Sequence, residues 1–206
     1  MIEVFRFVTG PIETNTWLVC NERHRCIVVD PASGCEQMIG KVREEELECQ
    51  AIILTHTHFD HICGIPEIQE GLGPVPVYVH PVEAPYLVDS RLNASLWFGD
   101  EFTYPGPTEP LEEGIRSIGD FSFDVRHIPG HSPGGCALII ESFCLCGDTL
   151  FAGSIGRSDF PGGDGPGLIE AIKTKLLTLP DSTTVCPGHY GRTTIGREKK
   201  SNPFLV

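Results

Sequence analysis

The stretch Thr55-His56-Thr57-His58-Phe59-Asp60-His61 constrains this chain more than any other. Four potential metal ligands, His56, His58, Asp60 and His61, fall within six residues, directly after the apolar run Ala51-Ile52-Ile53-Leu54. A short run that is apolar at every position reads as a strand buried on both faces, so the ligands lie where that strand ends. Open α/β folds carry their chemistry at such strand ends. Buried imidazole and carboxylate groups cost free energy unless paired or coordinated, so this spacing points to a metal rather than to packing. The donors suit zinc, with iron and manganese as competitors.

Along the chain, the pattern begins β-rich and then alternates. Apolar or alternating runs predict strands at 2–8, 15–20 and 25–30, the last closing on Asp30-Pro31. Ser33 and Glu36 form a capping box, and Cys35, Met38, Ile39 and Val42 at helical spacing predict an amphipathic helix over 34–48. After the ligand motif come a short helix over 62–70 with Pro66 near its start, a strand at 76–80 and a helix across 82–90. The segment 93–113 contains Gly99, Pro105, Gly106 and Pro107, lacks a period and reads as a long loop, a lid over the site. Strands return at 121–128, 136–141 and 143–147. Leu168, Ile172, Leu176 and Leu179 stripe a helix over 167–179 that Pro180 ends, and a last strand covers 183–187. No repeat, low-complexity tract or linker divides the chain, so 1–206 reads as one domain.

Composition excludes several functions. At 206 residues, 40% hydrophobic and 21% charged, the chain has the make-up of a compact globular enzyme. No apolar run approaches the roughly 18 residues a membrane helix needs. The N-terminus opens directly into an alternating strand pattern without a signal-peptide layout, so a cytoplasmic location is expected. The nine cysteines are odd in number, scattered, and form no Cys-x-x-Cys pair, which reads as buried reduced thiols. A net charge of −13 argues against nucleic acid or an anionic membrane as partner. An anionic substrate would have to be drawn in by local cations, metal or arginine.

Three further polar residues follow strands in the same way. His131 lies in Pro129-Gly130-His131-Ser132-Pro133-Gly134-Gly135, Asp148 in Gly147-Asp148-Thr149-Leu150-Phe151, and His189 in Pro187-Gly188-His189. A glycine precedes each, letting the backbone turn sharply beside a ligand. With the first motif they supply seven ligands at the ends of four strands, as two metals sharing one carboxylate require.

In that order, THTHFDH, GHSPGG, GDTLF and PGH, the chain resembles the metallo-β-lactamase superfamily, and within it the short glyoxalase II-like (hydroxyacylglutathione hydrolase-like) hydrolases. The run 152–164 and the tail 193–205 are the most group-specific parts. The resemblance implies an α/β (α+β) fold, the four-layered αβ/βα sandwich, with the site at one edge of two sheets. It implies one metal on His56, His58 and His131, a second on Asp60, His61 and His189, and Asp148 bridging both. A hydroxide between two divalent ions, zinc first, is the implied nucleophile, because zinc lowers the pKa of bound water from about 15.7 to about 7. Asp60 and Asp148 are the implied catalytic carboxylates. The implied substrate is a small acyl-thioester, S-lactoylglutathione or a relative, cleaved to lactate and glutathione.

Only 17 residues follow His189, so the helical C-terminal region that carries much of the glutathione pocket in full-length glyoxalase II is expected to be lacking. Arg157 is the first candidate for a substrate carboxylate, with pairing to Asp159 or Asp164 as the competing role. Tyr190 and Arg192 come second, and Lys199 and Lys200 third. His24, His80 and His127 read as structural, His127 as a neighbour of the ligands. The competing activities are a mononuclear-iron persulfide dioxygenase of the same fold, which uses two histidines and one aspartate, hydrolysis of another small ester or thioester, and a β-lactamase.

Overall fold

The apolar runs are apolar at every position because their strands are covered on both faces. The computed structural model describes residues 1–99 and 101–206 and shows this strand by strand. In β2 (Thr14–Asn21), β3 (Arg25–Val29) and β4 (Glu48–Ile53), successive side chains point to opposite sides. Leu18, Val28 and Ile52 pack with Met38, Val42, Ile65 and Ile68 of the helices α1 (Glu36–Glu44) and α2 (Ile65–Leu72). Trp17, Val19, Ile27 and Ile53 face the other way, against Phe123, Val125, Leu138 and Leu145 of a second sheet. The far face of that sheet, with Ala137, Cys144, Cys146 and Val185, is covered by Leu168, Ile172 and Leu176. The layers are therefore helix, sheet, sheet, helix: the αβ/βα sandwich.

The first sheet runs in sequence order from β1 (Ile2–Thr9) through β2, β3, β4 and β5 (Val77–Val79) to β6 (Glu109–Pro110), antiparallel up to β3 and parallel thereafter. The second contains β7 (Gly114–Ile118), β8 (Phe121–His127), β9 (Cys136–Ile140), β10 (Phe143–Gly147), β13 (Thr184–Pro187) and β14 (Thr193–Thr194), in the spatial order β14-β13-β10-β9-β8-β7. A hairpin of β11 (Leu150–Phe151) and β12 (Ser154–Ile155) projects beyond β10. The sheets are stitched together at one edge. Trp17 Nε1 donates to Pro187 O at 3.1 Å, Asn15 N to Gly188 O at 2.7 Å, and Cys136 N to Thr55 O at 2.8 Å.

Several expectations need correction. The helix expected over 34–48 is shorter, and no Ser33 capping box forms. The carboxylate of Glu67 on α2 instead accepts from the Gly34 and Cys35 backbone N–H groups, each at 2.9 Å, and holds the turn that leads into α1, which starts without a side-chain cap. The helix expected across 82–90 is a 3₁₀ turn over Ala84–Val88 that stops where Asp89 takes extended backbone. Within 93–113 the structure holds α3 (Ser95–Phe98) and β6; residue 100 of that segment lies outside the described residues. The helix expected over 167–179 is α4 (Gly165–Ala171) followed by a π-type turn over Ile172–Leu176, which keeps the stripe 168, 172, 176 facing the sheet. The tail folds as α5 (Ile195–Ser201), which the pattern had not indicated. All nine cysteines are free thiols.

Candidate metal centre

Each candidate ligand sits beyond a strand of one sheet or the other, at the stitched edge. His56, His58, Asp60 and His61 follow β4, His131 follows β8, Asp148 follows β10 and His189 follows β13. His131 Nε2 lies 3.2 Å from His56 Nε2 and 2.9 Å from His58 Nδ1, so three imidazole nitrogens converge on one point. Asp60 Oδ2 lies 3.2 Å from both His61 Nε2 and His189 Nε2, a second convergence. Asp148 stands between them, Oδ1 3.4 Å from His61 Nε2, and Oδ2 3.5 Å from His189 Nε2 and 3.7 Å from His131 Nε2. The structure thus brings together all seven residues.

The donor chemistry fits two divalent cations. His61 Nε2 and Asp148 Oδ1 are buried without a hydrogen-bond partner, an arrangement that costs free energy unless something coordinates them. His56, His58 and His131 form one group of mutually close donors, and Asp60, His61 and His189 another. Burial holds His56 well below the ordinary imidazole value, with His61, His58 and His131 adding to the effect. Burial, joined by His131, pushes His58 down to about 3, so both rings are neutral and offer lone pairs. At His61 and His189 burial acts in the same direction but loses. Asp60, Asp148 and Asp30 hold His61 well above the ordinary value, and hydrogen bonds to Asp148 and Asp60 raise His189 to about 9. Asp60 and Asp148 are buried, yet His61 and His189 keep both well below the usual carboxylate range.

Around the donors stands a layer of residues that were not singled out from sequence. Asp30, at the end of β3, accepts from Thr55 N at 2.7 Å and Thr55 Oγ1 at 2.6 Å, and its Oδ2 lies 3.0 Å from His61 Nδ1. Asp30 is also close to His56 and His61, but its bonds to Thr55 give it the work of orienting the ligand loop. Thr14 Oγ1 donates to Asp60 Oδ2 at 2.8 Å, and His131 Nδ1 lies 2.7 Å from Arg157 O. Fully buried Glu83 accepts from Thr57 N at 3.0 Å and Gly134 N at 2.8 Å, tying two ligand loops together. Close approach explains the glycine before His189: a Cβ on Gly188 would run into Asp148 Oδ1 and lie 2.6 Å from His61 Cε1.

The centre opens into a cavity of about 370 Å³. Phe59, Phe98, Phe151 and Phe160 give it an apolar wall, and Arg157 and Tyr190 line it too. Arg157 is held bidentate by Asp159, with both contacts at 2.7 Å, and stacks 4.0 Å over the Phe160 ring. Arg192 is occupied elsewhere: it donates to Val4 O, lies 4.9 Å over Trp17 and is not among the lining residues. Lys199 pairs with Asp181 at 2.7 Å. His127 and His80 stack on each other, ring centroids 4.3 Å apart, outside the cavity.

The chain belongs to the metallo-β-lactamase superfamily, whose family model matches residues 9–189. It is 35% identical over 199 residues to "Hydroxyacylglutathione hydrolase GloC" of Haemophilus influenzae, covering 94% of this chain and 93% of that one. Among solved structures it is similar to the BLEG-1 B3 metallo-β-lactamase, with TM-score 0.94 and 39% identity over 99% of this chain and 100% of that one. It is also similar to TTHA1623 in a di-iron-bound form, with TM-score 0.87 and 39% identity over 98% of this chain and 100% of that one.

Proposed function

We propose that the protein is a metal-dependent thioester hydrolase that cleaves a small acyl-thioester of the glutathione type to a carboxylic acid and a free thiol. The observation that carries this reading is a pair of buried donor triads, with Asp148 between them, open to one cavity with an apolar wall. The full-length similarity to a hydroxyacylglutathione hydrolase supports the substrate class. His56, His58 and His131 would hold one divalent ion, Asp60, His61 and His189 the other, and Asp148 both. When bound, two such ions supply a Lewis acid for the carbonyl and a water acidic enough to attack at neutral pH. We take zinc as the metal on donor chemistry, with iron the competitor in view of the di-iron form of one relative.

The chain's own residues do the rest. Asp60, ionised and pinned by Thr14, is placed to orient the attacking water. The aromatic wall takes the apolar part of the substrate and keeps bulk water out. In the reaction the C–S bond breaks, a C–O bond forms, and the thiolate leaves. A thiol pKa of about 8.5 makes that departure easy without a strong acid.

The BLEG-1 likeness favours a second reading, opening of a β-lactam amide, whose nitrogen leaving group does need a proton. Assaying the metal-loaded protein on S-lactoylglutathione beside a chromogenic cephalosporin separates the two. Thiol release from the thioester at a kcat/KM at least about tenfold above that for the cephalosporin is expected; the reverse order would replace the thioester reading.

A further inference from the structure

Beside the main cavity a second one, of about 440 Å³, reaches the same centre and shares Ile12, His189 and Tyr190 with it. Its other walls differ in kind. Arg6 on β1 and Glu13 in the β1–β2 turn line it, with buried Asn15 beside them. Arg6 Nη1 donates to Tyr190 O at 3.0 Å, and Asn15 Nδ2 donates to the same oxygen at 2.9 Å. Tyr190 has φ +64° and Glu13 φ +58°, so both flank the groove in left-handed backbone conformation. One nitrogen of the Arg6 guanidinium is thereby anchored and the rest of its fork stays open. Arg157, by contrast, is closed by Asp159. Among the described residues neither Arg6 nor Glu13 has an oppositely charged side chain within ion-pair distance, although both line one groove.

Resting on the thioester reading, we propose that this groove is a subsite for a zwitterionic α-amino carboxylate at the far end of the thiol arm. Arg6 takes the carboxylate through its open fork, and Glu13 takes the ammonium. The apolar wall across His189 is left to the acyl arm. This division suits a chain of net charge −13, because a zwitterion meets less repulsion than a free dicarboxylate. It also assigns anion recognition to Arg6 rather than Arg157.

S-methylglutathione, which carries such a head group and has no free thiol or scissile thioester, is the direct probe, titrated calorimetrically into the metal-loaded protein beside its N-acetylated form. Saturable binding that favours the free-amino form is expected, weakened at least about tenfold in Arg6→Ala, with the preference abolished in Glu13→Gln. Absence of binding, equal binding of the two forms, or unchanged affinity in both variants would overturn the proposal. Hydrolysis of the uncharged N-acetylcysteamine thioester by the unaltered protein tests the thioester reading separately, since it needs no zwitterion subsite.

Discussion

Protonation divides the seven donors into two unlike sets. In the metal-free protein His189, raised to about 9, favours its charged form, as does His61. Their contribution to stability is therefore fully present below the unfolded imidazole value of about 6.5, and for His189 it is lost as pH rises through about 9. A cation entering the triad of Asp60, His61 and His189 must displace those protons, whereas His56 and His58 are already neutral. Metal uptake at the second triad is thus expected to release protons and to weaken as pH falls, while the first triad keeps its ion to lower pH. Calorimetry at pH 7 in two buffers of different ionisation enthalpy reads this directly, and proton-free uptake of both ions would contradict it. Asp148→Ala is expected to lower kcat/KM by about 10²-fold or more and to lose metal while keeping its circular dichroism; normal turnover would remove the shared carboxylate from the account. Arg157→Ala is expected to loosen its loop and leave KM within about twofold, because Asp159 already closes the guanidinium; a KM raised about tenfold at unchanged kcat would instead place the substrate's anion on Arg157. The donors were legible in sequence because each follows an apolar run, three of them behind a glycine. Asp30, Glu83 and Thr14 were not, because their partners lie 25, 26 and 46 positions away and no local spacing marks them.

At the scale of elements, the site is held by loops that are tied to one another. Glu83, in the turn after β5, joins the loop after β4 to the loop after β8. Removing it would leave two buried N–H groups unpaired, each costing about 1–3 kcal/mol. Glu83→Ala is therefore expected to lower Tm by about 5–10 °C and metal affinity by about 10–100-fold. An unchanged melting curve would mean that water replaces the carboxylate without loss. The central strands were readable because burial on both faces leaves continuous apolar runs, whereas the edge strands β6, β7 and β14 and the β11–β12 hairpin, which lack such runs, were not. Of the helices, α2 lies close to the short helix expected over 62–70, but the extent and form of the others were not readable. The turn into α1 is held by Glu67 of α2, and the π-type turn after α4 follows the sheet it packs on. Such features are set by tertiary neighbours, and local spacing does not contain them.

For the whole molecule, two sheets meet face to face and expose their strand ends along one edge, where seven candidate ligands from both sheets converge. Neither sheet carries the site alone: the loop after β4 supplies four donors and the second sheet three. The sandwich itself was accessible from the motif order, since the resemblance spans nearly the whole chain. The division of the surroundings into an aromatic cavity and a charged groove was not, because Phe160 comes to Ile12 and Tyr190, and Arg6 to His189 and Tyr190, only in the folded chain. Among the described residues no helix is long and apolar enough to cross a membrane. A dinuclear hydrolase is tested by metal analysis and product stoichiometry on one preparation. About two divalent ions per chain are predicted, with one free thiol and one lactate released per S-lactoylglutathione consumed and no oxygen uptake. A single iron per chain, with oxygen consumed on glutathione persulfide and no thiol released from the thioester, would contradict it.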